Sequence, residues 1–224
     1  KYAYKNTTLE DFIAALAQAS GVELGQWQKQ WLQSAGLNTV RARWECTGGK
    51  LSRFALEQSA PAEYPVLRSH RTEIGFYALR PDGALSLEST VAATYAGAET
   101  AVAAALGKPC PALVFPNQGD QDYVKVELDP VSLGTLRTGL GRVADRLTRQ
   151  MMWGTLYGML RDARIAPAAY IETVIQQLAG EQDPQILTDV LRPLSREVIR
   201  YLAPARRAAA QARLEAFTKA QLDG

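Results

Sequence analysis

The spacing of apolar residues changes twice along this 224-residue chain, and the change limits the folds it can adopt. Up to about residue 36, apolar side chains recur every three or four positions, which is typical of amphipathic helices. Between about 38 and 129 they alternate with polar side chains, which is typical of half-buried strands. From Pro130 onward the helical spacing returns. The pattern predicts a helix pair, a β region and a second helical region, in that order.

The first zone predicts two short helices. The sequence TTLE offers a capping box in which Thr7 caps the first helix and Glu10 stands three residues later. Trp27 and Trp31 lie one turn apart on the second helix, so they predict an apolar packing surface. We expect these tryptophans to pack on the β region or against another copy of the chain.

The alternating zone predicts an antiparallel β-sandwich of about seven strands. The sequence RPDGA at 80–84 predicts a reverse turn in which Gly83 takes positive φ. The segment AETAVAAALGKP fits either a short helix or a strand. The stretch FPNQGDQDYVKVELDP concentrates acids, yet no frame of it matches a calcium-binding loop. Its alternation predicts a strand over 123–128, with Asp129 as the cap of the next helix.

Proline stands at 130, 167 and 204, at two equal intervals of 37 residues. Each is placed where a helix would begin, because proline lacks the N–H that the first turn leaves unused. Helix pairs recurring at this period are typical of a curved HEAT-like α-helical repeat. The predicted domains are therefore a helical tail over 1–36, a β-sandwich over 37–129 and a helical repeat over 130–224. The last helix has a thin apolar face, so we expect the repeat to continue past Gly224.

Composition and charge exclude several classes of protein. Hydrophobic residues make up 47% of the chain and charged residues 21%, as in ordinary globular domains. A net charge of +2 gives no reason to expect a nucleic-acid partner. No apolar run approaches the roughly 20 residues that span a bilayer, so no membrane partner is expected either.

Two cysteines, Cys46 and Cys110, are too few for a disulfide framework. We expect two buried free thiols in a reducing, cytoplasmic compartment, although a single pairing stays open. The chain starts at Lys1 without the form of a signal peptide. We therefore expect it to be a piece of a longer protein.

The residue types needed for catalysis or zinc binding are scarce. The single histidine, His70, excludes a two-histidine zinc site within the chain. We expect His70 to lie at the surface or to pack in a loop. No serine elbow or phosphate-binding glycine loop is present. We predict no catalytic and no metal-binding residue here.

One helix after Pro130 carries the weak candidates for substrate contact, which are Arg149, Tyr157 and Arg161. With Trp153 they are spaced by fours along one helix face. Arginine forks bind carboxylates, so the face could line a groove for a peptide. Packing together with ion pairing to Asp162 is the alternative.

Four segments together resemble the aminopeptidase N family of zinc metallopeptidases, in its actinobacterial branch. KYAYKNTTLEDFIAALAQASGVELGQWQKQWLQSAGLNTVRARW is similar to the family's end of the catalytic domain and its entry into the sandwich. APAEYPVLRSHRTEIGFYAL resembles the sandwich core, and LTRQMMWGTLYGMLRDARI resembles the helix that opens the C-terminal domain. VFPNQGDQDYVKVELDP is similar to a family strand, but Gln118 and Gly119 replace two of its aspartates and Glu127 replaces its arginine.

The resemblance implies a parent enzyme that removes N-terminal residues from peptides with a zinc-activated water. Its zinc ligands and catalytic residues map upstream of this sequence. This chain would then be a catalytically inactive C-terminal part that contacts the upstream catalytic domain and encloses the peptide chamber. The alternative is a stand-alone HEAT-like module that binds a protein or peptide.

Overall fold

The computed structural model describes residues 3–223 and shows helices, then two β-sheets, then a second set of helices. Helix α1 spans Leu9–Ser20 and helix α2 spans Gly25–Trp31. The predicted outer ends of the first and third domains, Lys1 and Gly224, lie outside the described residues. The predicted order of elements is confirmed.

Helix α1 begins one residue later than predicted. Thr8, not Thr7, is the cap: its hydroxyl accepts from the Asp11 backbone N–H at 3.2 Å, and the Asp11 carboxylate accepts from the Thr8 N–H at 3.1 Å. The sequence TTLED contains two overlapping capping boxes, and the structure uses the second. The helix ends at Gly21, whose φ of 70° is left-handed.

Seven strands form two sheets that face each other. They are β1 Thr39–Thr47, β2 Lys50–Ser59, β3 His70–Leu79, β4 Leu85–Tyr95, β5 Glu99–Ala101, β6 Leu113–Phe115 and β7 Lys125–Val126. One sheet has the order β5-β2-β1-β7 and the other has the order β4-β3-β6. The segment AETAVAAALGKP, whose sequence fits either a short helix or a strand, forms both. Strand β5 is followed by a 3₁₀ turn at Ala103–Ala105.

The predicted antiparallel sandwich is confirmed, with one exception at β7. This strand has two residues and pairs with β1 in parallel, at Thr39↔Lys125 and Val40↔Val126. The alternation around it is nevertheless as predicted, because Leu128 is buried while Tyr123 is exposed. The remaining strand pairs are antiparallel, and Gly83 makes the β3–β4 turn with φ 82°.

Strands β3 and β6 of the β4-β3-β6 sheet contribute side chains to two cores, one on each face. One face meets the other sheet through residues such as Ile74, Phe76 and Val114. The opposite face, with Tyr77, Leu113 and Phe115, joins the core of the helical region. Because adjacent strand residues point to opposite sides, Val114 and Phe115 contribute to different cores. The sandwich and the helical region therefore pack directly on each other.

The helical region consists of paired helices. They are α3 Pro130–Gly139, α4 Arg146–Arg161, α5 Pro167–Gln177, α6 Pro184–Pro193, the short α7 Ile199–Tyr201 and α8 Pro204–Asp223. A wide π-helical turn at Leu194–Val198 joins α6 to α7. The prolines at 130, 167 and 204 each occupy the first residue of a helix, as predicted. Asp129 caps α3 by accepting from the backbone N–H groups of Val131 and Ser132 at 3.0 and 3.1 Å.

The expectation of two free thiols is wrong, because Cys46 and Cys110 form a disulfide across 64 residues of sequence. Two backbone hydrogen bonds bring the segments together: Leu51 N–H donates to the Lys108 carbonyl and Cys110 N–H donates to the Gly49 carbonyl, both at 2.9 Å. The bond ties the β1–β2 hairpin to the loop that precedes β6.

Across residues 3–223, the helices are too short or too polar to cross a lipid bilayer.

Candidate functional site

The acidic stretch before α3 divides into side chains with separate structural roles. Asp122 is buried, and Asn117 holds its backbone by accepting from the Asp122 N–H at 3.0 Å and donating to its carbonyl at 2.9 Å. Asp120 is exposed. Glu127 lies near two arginines, Arg41 at 3.5 Å and Arg164 at 3.2 Å. The acids therefore do not converge on one point.

The buried Asp122 carboxylate pairs with His70. His70 Nδ1 lies 2.7 Å from Asp122 Oδ1, and its Nε2 lies 3.1 Å from Asn38 Oδ1. Only 3% of His70 is exposed, so the expected surface or loop position for this residue is wrong. The single histidine lies at the start of β3, with both ring nitrogens facing oxygen atoms.

Aromatic rings enclose the His70 imidazole. The Tyr95 ring stacks on it at 4.8 Å with an interplanar angle of 6°, and Trp31 of α2 meets it edge-on at 5.0 Å. The Tyr95 hydroxyl also donates to Asp122 Oδ2 at 2.7 Å. Burial, and then the contact with the Asp122 carboxylate, raises the pKa of Tyr95, so this phenol stays protonated as a donor at neutral pH.

Arg68 extends this network to the N-terminal helices. Its guanidinium donates to the backbone carbonyls of Gln30, Ser34 and Ala35 at 2.6, 2.9 and 3.0 Å. It also lies 5.5 Å from the Trp31 ring centroid, which is a cation–π contact. Because these carbonyls belong to the end of α2 and the residues after it, Arg68 fixes that end of the helix on the sandwich.

This network stabilises the contact between the N-terminal helices and the sandwich. Its charged groups lie within hydrogen-bond distance of fixed protein partners, and a buried charge is tolerated when it is paired in this way. The prediction that the tryptophans pack on the β region is confirmed for Trp31. Trp27 remains 40% exposed.

The described residues do not provide a metal site. Within residues 3–223, no three His, Cys, Asp or Glu side chains lie close enough together to hold an ion. The residues present therefore do not fit the zinc that the family resemblance implies for the parent protein.

Arg149, the first of the three candidate residues for substrate contact, is paired within the protein. Its Nε and Nη2 donate to the two carboxylate oxygens of Glu181 at 2.9 and 3.1 Å. Its Nη1 donates to the carbonyls of Val143 and Ala144 at 2.9 and 3.0 Å. Asp162, the ion-pair partner expected for this helix face as a whole, accepts from Lys125 at 2.9 Å. Arg149 thus joins the loop before α4 to the loop after α5.

Glu181 is held in its charged form by these contacts. Burial alone would raise the pKa of this carboxyl, but hydrogen bonds from Arg149 and from the Asp183 and Gln182 backbone N–H groups outweigh it. The pKa of Glu181 consequently lies below its ordinary value.

Tyr157 and Arg161, the other two candidates, contact each other near the end of α4. The Arg161 guanidinium carbon lies 6.0 Å from the Tyr157 ring centroid, and the Tyr157 hydroxyl donates to Glu197 at 2.5 Å. Burial and the Glu197 carboxylate raise the pKa of Tyr157 to about 12. Trp153, predicted on the same face, is 3% exposed and belongs to the helical core.

Sequence reasoning missed the polar residues that matter most for packing. Arg68, Tyr95 and Asp122 form one buried cluster, yet they come from three segments separated by 27 residues each. An arginine or aspartate next to alternating apolar residues is normally solvated, so no local signal marks these as buried.

One comparison with known proteins finds similarity along almost the whole chain. No protein-family model matches the chain. Aminopeptidase N of Streptomyces lividans is 34% identical to it over 229 aligned residues, which cover 99% of this chain and 27% of that protein. The chain thus spans about a quarter of the length of the curated relative it matches. Because the similarity runs through the helix pair, the sandwich and the helical region, the chain is homologous to a part of aminopeptidase N.

Proposed function

We propose that this chain is a non-catalytic part of a zinc-dependent aminopeptidase, a protein that removes N-terminal residues from peptides. In this proposal the sandwich is a spacer, and the helical region covers the chamber in which the peptide is cleaved. Zinc and the catalytic residues belong to the rest of the longer protein. Peptide substrates and the upstream catalytic domain are the proposed partners.

The apolar surface left open on α1 and α2 is the observation that carries the proposal. Phe12 is 52% exposed and Trp27 is 40% exposed, and Val22 between the two helices is 55% exposed. Val22 and Trp27 line one groove together with Leu16, and exposed apolar surface of this kind marks a site of protein contact. Since the relative is nearly four times longer than the aligned region, the rest of such a protein would supply the covering surface.

Association with the rest of the relative tests this proposal. The chain should bind a polypeptide that contains the remainder of the Streptomyces lividans relative, as measured by analytical ultracentrifugation. Phe12→Ser together with Trp27→Ser should weaken binding at least tenfold. Leu79→Ser is the matched control, because Leu79 is 50% exposed but lies at the end of β3. Equal binding by both variants, or no binding by the chain itself, would refute the proposed interface and favour a stand-alone interaction module.

Activity of the chain alone tests the other half of the proposal. We expect no release of the chromophore from an aminoacyl anilide with or without added zinc. Release of the chromophore by the purified chain, at a rate proportional to its concentration, would show that the chain is itself catalytic.

Contact of Arg149, Tyr157 and Arg161 with substrate stays a prediction. Arg161 is exposed and can reach a peptide directly, whereas the donors of Arg149 are engaged with Glu181 and two carbonyls. A cytoplasmic location also stays a prediction, and the Cys46–Cys110 bond gives a reason to test it, since disulfides persist mainly in oxidising compartments.

A further inference from the structure

A pocket of about 350 Å³ lies between α4, α5 and α6, away from the His70 network. Helix α4 contributes Gln150, Trp153, Gly154 and Tyr157, which share one face because they are spaced by three or four residues. Tyr170 of α5 and Asp189 of α6 complete the polar and aromatic lining.

Three aromatic rings line this pocket, from Trp153, Tyr157 and Tyr170. Trp153 and Tyr170 are 3% and 1% exposed, so their rings are fixed by the surrounding core. The Tyr157 and Tyr170 ring centroids are 6.3 Å apart with the planes inclined at 50°. Aromatic faces carry partial negative charge and attract cations, most strongly where water is excluded. The rings therefore favour a positively charged ligand with an apolar stem.

The acid at the rim has no cationic partner among the described residues. Asp189 accepts from two neutral amides, Gln185 at 2.9 Å and Gln150 at 3.2 Å. Neighbouring acids differ in this respect: Glu172 pairs with Arg213, Glu181 with Arg149 and Asp183 with Arg146. The charge of Asp189 is thus left for a ligand, and it would repel an anion.

Two further features leave room and hydrogen-bonding capacity for a ligand. A side chain at Gly154 would meet no atom within 4 Å, so α4 leaves space at this position, which lines both this pocket and a neighbouring one beside Met151. The buried Trp153 indole N–H has no acceptor in the described part of the chain. A peptide brings carbonyl oxygens as well as side chains, so it can satisfy such a donor.

We propose that this pocket binds the basic side chain of a peptide, either lysine or arginine. The charged head would lie against Asp189, and the methylene stem would lie along the half-buried Tyr157 ring, which Trp153 and Tyr170 support from the core. The pocket is separate from the exposed apolar surface on α1 and α2. A test of one proposal therefore does not decide the other.

Binding of a short peptide to the isolated chain tests the site. The probe is acetyl-Gly-Lys-Gly-amide, and the comparison peptide carries norleucine in place of lysine. We expect the lysine peptide to shift the assigned Trp153 indole resonance saturably in nitrogen–proton spectra, and the norleucine peptide to bind at least fivefold more weakly. Equal shifts with both peptides, or no shift with either, would overturn the proposal.

Three variants test whether the lysine peptide binds in this pocket. Asp189→Asn keeps the shape but removes the charge, so it should weaken lysine binding about fivefold. Gly154→Leu should block the pocket, and leucine is a better helix former than glycine, so folding is retained. Glu215→Gln is the matched control, because Glu215 also accepts from a glutamine amide, Gln211, but lines a different groove. If Glu215→Gln weakens binding as much as Asp189→Asn, the site is not the one proposed.

Discussion

His70 and Asp122 form a buried pair, with Nδ1 and Oδ1 2.7 Å apart, although 52 residues separate them in the sequence. The pair lies where the N-terminal helices meet the sandwich, since Trp31 packs on the His70 ring. It explains why an acidic stretch that resembles a ligand cluster holds no cluster in space. One of its acids, Asp122, instead pairs with His70 and so helps to hold the N-terminal helices on the sandwich.

Removing the charge of Asp122 should destabilise the protein strongly. Asp122→Asn leaves His70 and the Tyr95 hydroxyl without their carboxylate, and breaking one partner of a buried pair costs about 3 kcal/mol. The free energy of unfolding from urea titration at pH 7 measures this loss. Asp120→Asn is the control, because Asp120 is exposed two residues away and asparagine tolerates its φ of 54°. Equal stability of the two variants would contradict a structural role for the pair.

The Arg149–Glu181 pair should make stability depend on pH in the acidic range. The folded pKa of Glu181 lies below the unfolded value, so its contribution is fully present above the unfolded pKa of about 4.3. The contribution is lost as the pH falls through the folded pKa, because protonation removes the charge that Arg149 needs. Thermal unfolding between pH 7 and 3 should show a steeper decline for the natural protein than for Glu181→Gln. Parallel declines in the two proteins would exclude this role for Glu181.

The Cys46–Cys110 disulfide should protect both thiols from modification. Neither cysteine should react with a thiol reagent in the unfolded protein until a reductant is added. Closing a loop of 64 residues restricts the unfolded chain, so replacing both cysteines with serine should cost about 4 kcal/mol. Two reactive thiols in protein purified without reductant would show that the bond does not form in the cell.

Replacing Ala163 with glycine should stabilise the end of α4. Ala163 has φ 57° in a Schellman motif, where its N–H donates to Leu160 at 3.0 Å and the Arg164 N–H donates to Met159 at 2.8 Å. The left-handed conformation costs a residue with a Cβ roughly 1–2 kcal/mol, which exceeds the entropy that glycine loses on folding. Ala163→Gly should raise the free energy of unfolding by about 0.5 kcal/mol.

The control for that substitution is the same change inside a helix. Ala209→Gly in α8 should lower stability by about 1 kcal/mol, since Ala209 is exposed and glycine is a poor helix former. Chemical unfolding of the two variants side by side distinguishes a conformational effect from a general effect of glycine. Destabilisation by Ala163→Gly would count against the left-handed geometry.

The sequence by itself determined the elements whose cause is local. Pro130, Pro167 and Pro204 begin helices because proline loses nothing at that position, and Gly83 makes its turn because it tolerates positive φ. Asp129 could be predicted as a cap because the groups it accepts from are two and three residues away. The alternation of apolar residues similarly indicated which segments are strands.

The tertiary structure alone decided which distant groups meet. The partners of His70, Cys46 and Arg149 lie 52, 64 and 32 residues away, and no local pattern specifies them. The same limit explains the exception at β7, an edge strand whose two residues pair in parallel with β1. The sequence around a polar side chain predicts that it is exposed. Only the close packing of the elements shows that it is buried and paired.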